Sequence, residues 1–312
     1  MESNRWKSFA VSWKQTNIHW NNKNKMTTQR LEKLAELAKA VPASHKQAAT
    51  SLVERMGEVI EGLSDEPMEW RPTTLKLVQA TSDRSKLPKG ATIGSLVLGE
   101  EIQTPPIKVI PLRAYTTRQY WNPDQTTATM ICSSPDAKTG FRYGSCKTCP
   151  HSKFDEEAKR SDCNKTLTFI AVKEDLSNVF LINFSKTNYA NGIDWQGLMK
   201  KAGVSPYKRV YSLTPETSSK AKNVEVLKAQ PIMENGAPVA VDAKVMPFVE
   251  ELFRLATGDR DTSLKQFQEY LINKKDASVL MLDNQADEGG GTVTLITASE
   301  AAASSEASGY KL

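Results

Sequence analysis

The sequence lacks the features that mark a membrane or secreted protein. No run of about 18 apolar residues occurs, so no segment is long and apolar enough to cross a bilayer as a helix. The N-terminal residues also lack the apolar core of a secretory signal. We therefore expect no membrane partner and a location in the reducing cytoplasm, where disulfides are rare and cysteines more often bind metal.

Histidine is scarce as well, with only His19, His45 and His151 in the chain. None of the three lies in an apolar strand-like segment, which argues against a Ser-His-Asp or Cys-His catalytic arrangement. The Gly-rich phosphate loop GxxxxGK[ST] is absent too. These absences leave few enzyme classes open and favour a binding protein.

What is present describes a globular protein with polar ends. The 312 residues are 39% hydrophobic and 25% charged, with a mean hydropathy of −0.46. The formal net charge of +5 permits a polyanionic partner but does not require one. No internal repeat is visible.

All four cysteines fall between residues 132 and 163, with the spacing C-x13-C-x2-C-x13-C. The central C-x2-C pair is Cys146 and Cys149, and Cys132 and Cys163 each adjoin strand-like sequence. Two adjacent strands would then supply the outer cysteines, and a knuckle over residues 145–150 would supply the inner two. We predict one structural Zn²⁺ per chain with these four thiolates as ligands. An iron–sulfur cluster uses the same ligands, and four unliganded thiols are a further alternative. His151 is interpreted as a bystander.

Hydrophobic periodicity divides the chain into five segments. Apolar residues recur at helical spacing at both ends of the folded part, and alternate with a period of two between them. The predicted segments are a basic N-terminal tail (1–26), a helical hairpin (27–69), a β-rich region (70–232) that contains the cysteine segment (132–163), C-terminal helices (233–275) and a flexible acidic tail (276–312). Within the β-rich region, Asp194 is predicted to cap a short helix that ends at Gly203.

Aromatic and cationic residues are interleaved in the β-rich region. Unpaired bases stack on aromatic faces while basic side chains follow the phosphates, a combination that suits single strands better than duplex. No basic helix suited to the major groove is evident. The predicted nucleic-acid contacts are Arg113, Tyr115, Arg118, Tyr120, Trp121, Arg142, Tyr143 and Lys186. The alternative is that these aromatics fill a β-sheet core.

One enzymatic alternative rests on a PD…ExK pattern. Asp136 follows Pro135, and Glu157 and Lys159 follow later, as in some metal-dependent nucleases. Such sites hold a divalent ion on paired apolar strands. Here the ExK residues lie in a polar stretch and Asp136 lies in a turn-like one, so the pattern lacks its expected context.

Residues 75–213 resemble a group of bacteriophage single-stranded DNA-binding proteins with an OB-type barrel. The resemblance is carried by LKLVQATS, IPLRAYTTRQYW, Cys132-Ser133-Ser134-Pro135-Asp136, CKTCP, Cys163, FIAV, FLINFSKT and LMKKAG. The zinc-bearing barrel of replication protein A is also similar, although its cysteines are spaced differently. The resemblance implies an α+β protein with a central OB-like β-barrel, an inserted zinc knuckle, a flanking N-terminal helical hairpin and C-terminal helices.

The resemblance also implies non-enzymatic binding of single-stranded DNA during phage replication or recombination, in the host cytoplasm. Other replication or recombination proteins would be partners, and the helices could support a homo-oligomer. A zinc-stabilised scaffold of a phage assembly is an alternative in which DNA is incidental. The acidic tail lacks a dense cluster of acidic and aromatic residues at its end, a departure from many such proteins.

Overall fold

The computed structural model describes residues 29–57, 72–121, 130–156, 161–219, 221, 223–258, 261 and 264–265. The predicted tails, 1–26 and 276–312, lie outside these residues. The chain divides into two units, residues 1–264 and 265–312, and only Lys265 of the second unit is described. The first unit is a mixed α+β fold. Within the described residues, no helix is long and apolar enough to span a membrane.

Four helices are described: α1 (29–40), α2 (Ala43–Gly57), α3 (Tyr189–Lys201) and α4 (246–258). Pro42 separates α1 from α2, because proline cannot continue a helix beyond its first turn. The prediction that Asp194 caps α3 is wrong. A 3-10 turn at Lys186–Asn188 leads directly into α3, so Asn188 occupies the cap position and Asp194 lies within the helix.

The main sheet contains nine strands, and two short hairpins lie outside it. The strands are β1 (Thr73–Leu77), β2 (Leu96–Leu98), β3 (Glu101–Gln103), β4 (Ile107–Trp121), β5 (Met130–Ser134), β6 (Thr139–Gly140), β7 (Gly144–Ser145), β8 (Cys163–Lys173), β9 (Val179–Ser185), β10 (Tyr211–Thr217), β11 (Glu225–Pro231), β12 (Met233–Glu234) and β13 (Ala237–Pro238). The sheet order is β11-β10-β4-β8-β9-β1-β2-β3, and β5 also pairs with β4. Among the described strands of this sheet, only the β1–β9 pair is parallel.

The sheet curls into a half-barrel, and its distant strands β1 and β11 approach each other. Gln79, just after β1, donates its side-chain amide to the carbonyl of Glu225 at 2.8 Å and accepts from the Glu225 amide at 3.0 Å. Asn188 accepts from the Leu227 amide at 3.1 Å. Two side-chain amides thus satisfy the free edge of β11, which would otherwise present unpaired backbone groups.

Both faces of the central strands are buried, as β8 illustrates. Phe169 and Ala171 face the concave side, where Trp195 of α3 stacks on Phe169 at 4.2 Å between centroids. Ile170 and Val172 face the convex side, which is covered by α1, α2 and α4. A strand buried on both faces reads as a continuous apolar run rather than as strict alternation. The fold therefore contains an inner core inside the curl and an outer core beneath three helices.

Candidate cysteine cluster and nucleic-acid cleft

The end of β4 organises the cysteine cluster. In the sheet register Tyr120 lies opposite Cys132 of β5 on one side and Cys163 of β8 on the other. The expectation that the outer cysteines come from two adjacent strands is therefore wrong, because β4 lies between them. Directly opposed residues share a face of the sheet, so all three side chains point the same way, and they form a small buried cluster.

The inner cysteines lie on a loop that closes over this cluster. The β6–β7 hairpin begins the loop, and the Cys146 amide donates to the Lys138 carbonyl at 2.7 Å. The Ser152 hydroxyl then bonds the carbonyls of Cys146 and Cys149 at 2.6 and 2.9 Å. Local hydrogen bonds thus fix the C-x2-C turn and bring its two thiols to the cluster.

All four thiols are buried and line one small cavity of about 10 Å³. Their residues are 7–8% exposed. Burial raises the pKa of the Cys163 thiol, Arg118 opposes this shift through a hydrogen bond and its charge, and the Cys146 and Cys149 thiolates add to it.

Two further observations test whether the cavity suits a metal ion. A Cβ atom on Gly140 would lie 2.8 Å from the Cys132 sulfur, so glycine keeps that thiol's surroundings open. The Arg118 Nε is buried without a hydrogen-bond partner in the described part of the chain, and a guanidinium can balance the negative charge of a thiolate cluster. The donor type, the burial and the shared cavity fit a thiolate-bound metal.

The sulfurs nevertheless do not form a finished ligand set. Among the described residues, no group of three or more His, Cys, Asp or Glu side chains is arranged to hold a metal ion. Cys132 and Cys163 lie on strands on opposite sides of β4. Neighbouring strands are about 4.8 Å apart, so the two backbones are separated by about two strand spacings. A zinc ion with Zn–S distances of about 2.3 Å would require the four sulfurs to converge. The predicted zinc knuckle therefore remains a prediction.

Three rings connect the cluster to the surface. Tyr120 stacks on His151 with centroids 4.2 Å apart and an interplanar angle of 19°. Tyr143 lies against both rings, and the Arg142 guanidinium lies 5.6 Å from the Tyr143 centroid. His151 also lies 3.3 Å from the Asp162 carboxylate. His151 therefore packs the cysteine loop against β4.

Beside the cluster, a cleft of about 650 Å³ opens between the cysteine loop and the sheet. It is lined by aromatic and polar side chains from four separate segments. These are Tyr120, Trp121, Phe154, Ser161, Asp162, Asn164, Lys165, Lys186, Thr187 and Tyr189. Two of the aromatics are well exposed, Trp121 at 39% and Phe154 at 59%. Apolar rings at the surface of a polar cleft are available to stack on a ligand.

Two lysines provide positive charge in the cleft. The Lys165 ammonium lies 5.3 Å from the Tyr189 ring centroid, and the Lys186 side chain is exposed. Lys186 also has a φ of +50°, in the left-handed region that favours glycine. A lysine held there carries a conformational cost, which is often found where a side chain has a functional role.

The predicted contact residues separate into three groups. Tyr120, Trp121 and Lys186 line the cleft, whereas Arg118, Arg142 and Tyr143 lie at the cysteine cluster. Arg113 donates to the Thr257 carbonyl at 3.0 Å and to Asp261 at 2.8 Å. Tyr115 packs against the outer core. Arg113 and Tyr115 are thus directed toward the α4 region rather than the cleft.

The predicted contacts do not include Phe154, Lys165 or Tyr189, which also line the cleft. Each is an ordinary residue in its own segment, and only the fold brings the three to one cleft. The aromatic–cation interleaving that singled out Trp121 is local and cannot detect such convergence.

Asp136, the carboxylate of the nuclease alternative, stabilises a turn. Asp136 accepts hydrogen bonds from the Ser134 hydroxyl at 2.9 Å and from the amides of Lys138 and Thr139 at 2.8 and 2.9 Å. Partial burial alone would raise the pKa of Asp136, but these hydrogen bonds outweigh burial and lower it. Glu157 and Lys159 lie outside the described residues, so the PD…ExK arrangement rests on the sequence alone.

No protein-family model, curated protein or solved structure matches this chain.

Proposed function

We propose that the protein binds single-stranded DNA, without catalysis, in the cleft between the cysteine loop and the sheet. The observation that carries the proposal is the convergence of two exposed aromatic rings, Trp121 and Phe154, with the ammonium groups of Lys165 and Lys186 on one cleft. Stacking requires unpaired bases, and each stacked base contributes about 1–3 kcal/mol. The lysines supply the phosphate contacts.

The scaffold for this binding is, in our proposal, an OB-like barrel. Support comes from the half-barrel curl, from the approach of β1 to β11 through Gln79 and Glu225, and from α3, whose Trp195 fills the inner core. OB folds commonly bind strands of nucleic acid across an open face and its flanking loops. The cleft lies on β4, β8 and the β9–α3 connection, together with the cysteine loop.

A structural zinc ion held by Cys132, Cys146, Cys149 and Cys163 completes the proposal. The ion would supply a cross-link between β5, β8 and the loop, and a structural metal contributes directly to folding free energy. Four buried thiols around one cavity support this assignment. Because Phe154, Ser161 and Asp162 lie between Cys149 and Cys163, the same cross-link would hold one wall of the cleft.

The resemblance of residues 75–213 to phage single-stranded DNA-binding proteins extends the proposal to a role in phage DNA replication or recombination. Other proteins of those processes would be its partners. No specific observation favours the nuclease or the scaffold alternative, and the hydrogen bonds of Asp136 give that carboxylate a structural role.

Fluorescence anisotropy with labelled oligonucleotides tests the proposal. A single strand of about 16 nucleotides spans the upper range of OB-domain site sizes. At about 50 mM salt we expect it to bind, and the matching duplex to bind more weakly by about tenfold for each base that stacks. Equal affinity for strand and duplex, or no binding of either, would overturn the proposal. Incubation with Mg²⁺ or Mn²⁺ tests for cleavage in the same experiment.

Matched variants locate the site. Phe154→Ala removes a cleft ring, whereas Ile102→Ala removes an exposed apolar side chain from β3, outside the cleft. Lys165→Ala removes a cleft cation, whereas Lys244→Ala removes an exposed lysine ahead of α4. Only the cleft variants should weaken single-strand binding. Equal effects from each member of a pair would place the binding site elsewhere.

A further inference from the structure

The polar side chains of the cleft differ in what they can offer to a base. Lys165 and Lys186 are hydrogen-bond donors suited to phosphate, and Trp121 and Phe154 offer ring faces. Asp162 contributes the one carboxylate among the cleft residues that the structure describes. An ionised carboxylate accepts hydrogen bonds but has none to donate. It therefore distinguishes ligands by the donors that they carry.

Asp162 is placed to accept from a ligand. Its side chain is 46% exposed and lines the cleft, and its Oδ2 lies 3.3 Å from the His151 Nδ1. Within the described part of the chain, its Oδ1 has no hydrogen-bond partner. The His151 contact, with His151 stacked on Tyr120, restrains the carboxylate. One oxygen is thus oriented by the protein, and among the described residues nothing occupies the other.

The nucleobases differ at the edge that would meet this oxygen. Cytosine, adenine and guanine carry exocyclic amino groups, which donate hydrogen bonds to a carboxylate. Thymine has no amino group, and its one ring N–H lies between two carbonyl oxygens that a carboxylate repels. The nearby Asn164 amide can both donate and accept, so it does not discriminate between the two kinds of base.

We propose that Asp162 makes the cleft selective for single strands whose bases carry exocyclic amino groups, and that it disfavours thymine. This inference rests on the proposed function, because it assumes that the cleft binds unpaired bases. Stacking and phosphate contact are indifferent to the base, whereas the carboxylate is not. Asp162 is therefore the specificity-determining residue of the site.

The test compares oligo(dC) with oligo(dT), two pyrimidines of similar size, at about 12 nucleotides. We expect the full-length protein to bind oligo(dC) about fivefold more tightly, the effect of one additional hydrogen bond in a partly solvated site. Asp162→Asn should bring the ratio of the two affinities close to one, since an amide can pair with either base. The ratio is the readout, because loss of a negative charge should strengthen binding of every strand.

Asp194→Asn is the matched control. It makes the same charge change on the exposed face of α3 and should leave the ratio at about fivefold.

Because Asp162 adjoins Cys163, a second probe leaves the protein unchanged. An oligonucleotide with 2-pyrimidinone in place of cytosine lacks the 4-amino group, and wild-type protein should bind it no more tightly than oligo(dT). A wild-type ratio at or below one, or a preference that survives Asp162→Asn or the base analogue, overturns the inference alone. Failure to bind either oligonucleotide overturns the proposed function as well.

Discussion

The ring of Tyr120 stacks on the imidazole of His151 at 4.2 Å between centroids. Tyr120 is also the residue that faces Cys132 across one ladder and Cys163 across the other. It lines both the cysteine cavity and the neighbouring cleft. The Tyr120 ring therefore separates the candidate metal cavity from the candidate binding cleft. A structural change in the metal cavity should alter the cleft.

Metal removal should weaken binding of single strands. We expect one zinc per chain by elemental analysis, and a loss of oligonucleotide affinity on chelation, because the loop that carries Phe154 and Asp162 would lose its cross-link. Cys146→Ser should lower both the zinc content and the oligonucleotide affinity. Iron with visible absorption, or protein purified metal-free under reducing conditions, would contradict the assignment. Unchanged affinity after complete zinc removal would instead separate the cleft from the cluster.

Limited proteolysis shows how far the effect of the metal extends. The sheet has an inner and an outer apolar core, so chelation should expose residues 133–162 to cleavage while the strands outside that segment stay protected. Cleavage spread evenly over residues 73–232 would mean that the ion holds the whole sheet.

Alanine at Gly140 should disturb the cysteine cluster. The added Cβ would lie 2.8 Å from the Cys132 sulfur, and overpacking of this kind costs about 1–3 kcal/mol. Gly197→Ala is the matched control, because Gly197 lies within α3 and its added Cβ meets no atom within 4 Å. That change should stabilise the fold by about 0.5–1 kcal/mol. Urea unfolding and zinc titration of both variants measure the two effects, and equal behaviour would contradict the close contact.

Acid should remove the contribution of Asp136 to stability. Its hydrogen bonds lower its pKa below the ordinary value, so the folded state favours the ionised carboxylate. This contribution is fully present above the unfolded pKa of about 3.9 and is lost as the pH falls through the lower, folded value. Asp136→Asn should therefore lose less stability than the wild type between about pH 5 and pH 2. Parallel losses in urea unfolding would show that the turn does not depend on the charge.

Local patterns predicted that most of residues 70–232 form β-structure. They failed where a strand or helix begins or ends without a strong local sequence signal. Within the predicted β-rich region, the apolar residues of 91–102 are typical of a single strand, but the structure has two short strands, β2 and β3, joined at Gly99 with a φ of +64°. A single glycine in an apolar run permits either a strand or a turn. The α3 boundary was missed for a related reason, since residues 189–194 carry no apolar periodicity and depend on the preceding 3-10 turn.

The two sites were predictable only where their residues follow a recognisable spacing in the sequence. The cysteine spacing indicated one cluster, and the four thiols do share one cavity. The cleft combines residues 120–121, 154, 161–165 and 186–189, and no spacing rule relates these segments. The pairing of β4 with β8 and of β8 with β9 brings three of the four segments together. Those pairings come from tertiary contacts, which a single sequence does not record.

Lys186 should show opposite effects on stability and binding when it is replaced by glycine. Its φ of +50° is costly for a residue with a Cβ atom, by about 1–2 kcal/mol, and glycine avoids most of that cost. Lys186→Gly should raise the free energy of unfolding by about 0.5–1 kcal/mol. The same change should weaken single-strand binding and reduce the slope of log affinity against log salt by about 0.7, the value for one phosphate contact on a single strand.

Lys186→Ala separates the two effects, because alanine keeps the backbone cost and loses only the ammonium. It should weaken binding as much as Lys186→Gly does, with no gain in stability. Ala137→Gly is the complementary control: Ala137 also has a positive φ, +58°, so its replacement should raise stability and leave the salt slope unchanged. If Lys186→Gly gained stability and kept wild-type affinity and slope, Lys186 would have no part in phosphate binding. The positive charge of the cleft would then come from Lys165, whose own salt slope would measure it.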